Sequence, residues 1–191
     1  MTSILGIIAS SKLVASGSFE SIATVTVGSG GSSSVSFTSI PSTYSHLQVR
    51  ILGRGNRTSY GTESFVMRAN SDSGANYATH QVVAVAASVL ASGSASTTGA
   101  SIGRFPSNSI TANVFGVGVV DILDYANTNK YKTIRDLGGI EDNDVSGLAE
   151  LGLYSSLWMN TSAISSLTFT SGGGTLITQY SSFALYGIKG A

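Results

Sequence analysis

Apolar and polar residues alternate with a period of two along most of the chain, and the alternating runs are short. Ile22, Thr24 and Thr26 interleave with Ala23, Val25 and Val27. The run Gly28-Ser29-Gly30-Gly31-Ser32 then supplies turn chemistry, and Val35 with Phe37 opens a new run before Pro41. This reads as strand, Gly-rich turn, strand. The clearest case is residues 45–53, where Leu47, Val49 and Ile51 share one face and His46, Gln48 and Arg50 the other; one side of that strand is buried and the other is wet or paired. Further strand-like runs lie at 63–68, 77–85, 113–123, 130–137, 151–158, 164–170 and 176–188, separated by clusters such as Ser71-Asp72-Ser73-Gly74, Asn127-Thr128-Asn129 and Gly172-Gly173-Gly174. Such clusters favour turns because Gly, Asn and Asp tolerate left-handed backbone or bond their own main chain. No heptad or 3.6-residue pattern is visible. About eight to ten strands at this spacing predict an all-β, antiparallel two-sheet sandwich, with a jelly roll as the expected arrangement.

Two segments break the pattern. Residues 1–18 hold one apolar knot, Ile4, Leu5, Ile7 and Ile8, among Ser, Ala and Gly. The knot is too short to span a bilayer, and Lys12 follows it where a secretory signal would carry its basic residues in front. This segment is expected to be an attachment arm, with plugging of the domain's own core as the alternative, and residues 19–191 to be the sandwich domain. Residues 81–103 carry no charge, and 91–103 are almost entirely Ser, Thr, Ala and Gly; a low-complexity loop is the first reading, an interface segment the second.

Composition sharpens this picture. The 191 residues include ten Lys+Arg, ten Asp+Glu, 23 Gly, an even larger number of Ser, and no Cys, with formal net charge zero. Without Cys there is no disulfide scaffold, thiolate zinc site or thiol nucleophile. Without a basic cluster there is no phosphate-neutralising patch, so nucleic acid is not an expected partner. Membrane insertion is not expected either.

Chemistry-bearing motifs are few. Gly99-Ala100-Ser101-Ile102-Gly103 fits G-x-S-x-G but lies in a Ser/Gly tract of an all-β chain, not on the strand-to-helix turn a nucleophile elbow needs. His46 and His80 are expected in strands, with no acid beside either in sequence and only Asp72 placed to approach His80 across a hairpin. In the acidic run, Asp142, Asp144 and Ser146 stand at alternate positions before Gly147, as in half of an oxygen-ligand calcium loop, but Leu153 occupies the twelfth position where a bidentate Glu belongs. The run is therefore a weak cation candidate, read first as a solvated turn. Asn56-Arg57-Thr58 and Asn160-Thr161-Ser162 are read as turns, and Tyr60, Tyr77, Tyr125 and Tyr131 as aromatics available either for stacking on sugar rings or for ordinary sheet packing. No catalytic residue and no cofactor is expected.

The runs Glu20-Ser21-Ile22-Ala23-Thr24-Val25-Thr26-Val27-Gly28, Phe37-Thr38-Ser39-Ile40-Pro41 and Tyr44-Ser45-His46-Leu47-Gln48-Val49-Arg50 resemble small structural proteins of aquatic and marine tailed bacteriophages. The likeness continues through Asp121-Ile122-Leu123-Asp124-Tyr125-Ala126-Asn127-Thr128-Asn129-Lys130-Tyr131-Lys132-Thr133, Leu157-Trp158-Met159-Asn160-Thr161 and Ser182-Phe183-Ala184-Leu185-Tyr186-Gly187-Ile188-Lys189. The resemblance implies a location in the virion. It implies a short tail fibre or receptor-binding protein, homotrimeric, joined to the tail or baseplate by the arm and meeting a host cell-surface glycan. A capsid decoration protein clamping the major capsid protein is the alternative, and a polysaccharide depolymerase domain is disfavoured because no convincing acid pair is present. The chain departs from the family pattern at 139–148, where an acidic run replaces a Gly-rich hairpin, so Glu141, Asp142, Asn143 and Asp144 become the candidate contact loop.

Overall fold

The computed structural model describes residues 17–143 and 149–190. The described residues form twelve strands and no helix: β1 Phe19–Thr26, β2 Val35–Phe37, β3 His46–Gly53, β4 Thr62–Ala69, β5 Tyr77–Val85, β6 Ser88–Thr97, β7 Ala100–Pro106, β8 Gly116–Leu123, β9 Lys132–Ile140, β10 Glu150–Trp158, β11 Leu167–Ser171 and β12 Ser182–Ile188. An eight-stranded sheet runs in the order β1-β12-β3-β8-β9-β10-β5-β6 and a four-stranded one β2-β11-β4-β7. Every pairing is antiparallel.

The order β1-β12-β3-β8 opposite β2-β11-β4-β7 is that of a jelly roll, in which the chain changes sheet at every step among these eight strands except from β4 to β7. Two hairpins are inserted into it. β9-β10 falls between β8 and β11 and adds to the free edge of β8, and β5-β6 falls between β4 and β7 and adds in turn to β10. They double the width of one sheet and leave the other at four strands.

The expected alternation holds in β3, where Leu47, Val49 and Ile51 are buried. They meet Phe65, Met67, Phe169 and Leu167 of the smaller sheet in one hydrophobic core. Phe65 and Phe105 stack at 4.1 Å, and Phe169 reaches Phe183 across the sandwich at 5.3 Å. Gly53 makes this stack possible, since a Cβ there would lie 2.7 Å from the Phe65 ring.

The low-complexity segment is not a loop. It forms β6 and β7, joined by a short turn. Strand β6 is exposed along almost its whole length, and β7 is buried at five of seven positions, so neither shows the one-sided alternation that announces a strand. Ile4, Leu5, Ile7 and Ile8 of the expected arm lie outside the described residues.

Candidate interaction surface

The two sheets differ sharply on their outer faces. On the four-stranded sheet, Ser36, Thr168 and Arg68 stand in register across β2, β11 and β4, with the Ser36 and Thr168 hydroxyls 3.1 Å apart. That is the solvated face expected of an antiparallel sheet. On the outer face of the eight-stranded sheet, Arg50 lies over the Phe19 and Tyr186 rings and Gln48 donates to Asp121 at 2.9 Å.

Toward β6 the same face turns apolar. One row across the strands reads Leu52, Val117, Gly139, Leu151, Ala84, Val89, and the next reads Arg50, Val119, Leu137, Leu153, Val82, Ala91. Leu52, Val82, Val89, Val117, Val119, Leu137, Leu151 and Leu153 are all exposed, Leu151 at 61% and Val89 at 72%. A third row, Asp121, Arg135, Ser155, His80 and Gly93, borders them with polar groups. Where the second and third rows meet, Val82, Ala91 and Leu153 with His80, Arg135 and Ser155 line an open groove of about 480 Å³. A second hollow of about 550 Å³ lies at the opposite end, between Val117, Leu151, Ala84, Phe115 and Glu141.

Beneath this apolar surface the inward side of the extension sets ionisable groups among buried residues such as Ile134, Ile140 and Trp158. Asp136 of β9 is 1% exposed, and neither carboxylate oxygen has a hydrogen-bond partner. Burial pushes its carboxyl up to about 7; the charge of Asp121 adds to the shift and the nearby Gly103 amide opposes it without making a bond of normal geometry. Glu150 and Tyr154 of β10 face the same space. Burial raises both, Tyr154 to about 12, while Arg104 of β7, 3.8 Å from Glu150, opposes the shift in each. Next to this cluster, Thr79 and Ser156 share a buried hydroxyl–hydroxyl bond of 2.7 Å.

Sequence-level candidates fall elsewhere. Glu141, Asp142 and Asn143 follow β9, and Glu141 accepts the Asn143 amide at 3.0 Å; Asp144 and Ser146 lie outside the described residues. Among the described residues no three acidic or His side chains gather as a metal site would require. Ser101 sits within β7, its amide 3.3 Å from the Thr79 hydroxyl.

His46, which has no acid beside it in sequence, accepts the Asp124 amide at 3.0 Å and lies 3.6 Å from the Asp124 carboxylate, because β3 pairs with the end of β8. Asp72 does not serve His80; it accepts from the Trp158 indole at 2.7 Å and from Asn76, and these bonds hold its carboxyl below the usual range. Tyr77 and Tyr125 are fully buried and unavailable to sugars, whereas Tyr60 and Tyr131 are exposed. Asn160 caps its own turn through the Ser162 amide, and Asn56 ties its loop to the amides of Thr175 and Leu176. No helix among the described residues is long and apolar enough to cross a membrane.

Sequence reasoning missed the buried ionisable groups, although parity pointed to them. Once Ile134 is placed inward, Lys132 and Asp136 must follow it.

These features define an all-β jelly roll widened by two hairpins, with one apolar outer half-face. No protein-family model matches the chain, and no curated protein matches it.

Proposed function

We propose that this chain is a structural protein of a tailed-bacteriophage virion, a short tail fibre or receptor-binding protein that acts as a homotrimer and has no catalytic role. The resemblance of its strand sequences to phage structural proteins suggests the setting. The observation that carries the reading is the apolar half of the eight-stranded sheet. A surface of exposed Leu and Val spanning six strands belongs to a protein that works packed within an assembly. The low charge agrees with that role, since association then relies on shape and apolar contact more than on steering.

The test is direct. Antibody labelling of purified particles should place the chain on the tail at a few tens of copies, and the purified protein should block adsorption. Several hundred copies on the head would favour capsid decoration instead, and absence from particles would end the virion reading.

A further inference from the structure

We propose that the apolar half-face of the eight-stranded sheet is covered by a second copy of this chain, with Leu137 and Leu153 at the centre of the contact; this rests on the oligomeric reading above. Six strands about 4.8 Å apart and two rows of outward residues make a patch on the order of 400 Å² in projection. That is about half of the roughly 800 Å² each partner contributes to a stable interface. The third row adds about 200 Å² more in the usual form: Asp121, Arg135 and His80 make a polar rim along one side of an uncharged centre.

Charge favours a copy as the occupant. A face without charge meets no like-charge repulsion from a neighbouring copy, and the two apolar rows carry a single charged residue, Arg50, at their far end. The whole chain is also formally neutral, so copies do not repel at a distance.

Strand β6 adds a second, independent argument. It is ten residues long, exposed, without charge or Pro, and bonded on one edge only. Natural edge strands of this length are normally blunted by Lys, Pro or a covering element. Here the interface that buries Val89 and Ala91 also brings a neighbour to that edge.

The experiment is the mass of the purified full-length chain in solution, by light scattering and sedimentation at tens of micromolar, for wild type, L137D/L153D and the control S36D on the outer face of the smaller sheet. Wild type and S36D are expected to be oligomers. The double variant should run at 19.5 kDa with an unchanged circular dichroism spectrum. If L137D/L153D does not fold, L137T/L153T keeps strand-compatible residues and should raise the dissociation constant at least about tenfold. A folded double variant that retains the wild-type mass overturns this face and leaves the oligomeric reading standing. A monomeric wild type overturns both, while the virion location is judged separately on particles.

Discussion

Asp136 offers the sharpest test of the buried chemistry. Its carboxyl lies under β7 with no donor to either oxygen, and burial holds its pKa at about 7 against an ordinary 3.8. Between those values the folded chain keeps a proton that the unfolded chain has released. The stabilisation is therefore fully present below about pH 4 and is lost as pH rises to 7. About three pKa units at about 1.4 kcal/mol each give a loss on the order of 4 kcal/mol, a large part of the total stability of a typical domain, about 5–15 kcal/mol.

Asp136→Asn removes the titration with almost no change in shape. Urea unfolding of wild type and D136N at unit steps from pH 4 to 8 gives the difference between them at each pH. Contributions from Glu150 and Tyr154 on β10, Asp121 on β8 and Arg104 on β7 are common to both proteins and largely cancel. The difference should move by about 4 kcal/mol in favour of D136N from pH 4 to 7 and be flat above. A difference constant to within about 1 kcal/mol would refute the argument, because Asp136 would then carry its charge in the fold at no greater cost than in water.

Two further substitutions probe the loops that frame the sheets. Lys132 is fully buried and its ammonium donates to the carbonyls of Asn127, Lys130 and Thr161 at 2.6, 2.9 and 3.0 Å; Lys132→Met strands three acceptors and should cost about 3–5 kcal/mol in urea unfolding. Arg54 donates to the carbonyls of Thr111, Val114 and Ile110 at 2.8, 2.8 and 2.9 Å; Arg54→Lys cannot reproduce that fork, should cost about 2 kcal/mol, and should expose the 107–115 loop to limited proteolysis.

What the sequence revealed follows the contrast between the faces of each strand. In β3 one face is buried and the other polar, so Leu47, Val49 and Ile51 announce both strand and orientation. β6 and β7 escape detection because neither has such a contrast. The jelly-roll class was legible from strand number and turn spacing, but the addition of β9-β10 to β8 and of β5-β6 to β10 was not, since strand order is set by pairings between residues far apart in the chain. The interaction surface was written in plain view and unassigned. In β8, Val117 and Val119 alternate with Val120 and Ile122 at opposite parity, which signals burial on both faces; within one copy only Val120 and Ile122 find it.

The extension reverses in part the polarity of the sandwich it grows from. In β3 the inward residues are Leu and Val and the outward ones are His, Gln and Arg; in β9 and β10 the inward set includes Lys132, Asp136, Tyr154, Ser156 and Glu150, and the outward set Leu137, Leu151 and Leu153. A monomer with that arrangement bears the desolvation of ionisable groups on one side of the sheet, offset in part by the Lys132 hydrogen bonds and the Arg104–Glu150 pair, and the exposure of apolar area on the other. Covering the outer face removes that exposure, at roughly 25 cal/mol per Å² of apolar area. It also keeps water from the strands that seal Asp136. Residues alternate across one backbone, so Leu137 and Asp136 are bound to a single β9 whose position both faces share. In the proposed oligomer, packing on the outside and polarity on the inside share one backbone, and occupation of the outer face offsets the apolar exposure.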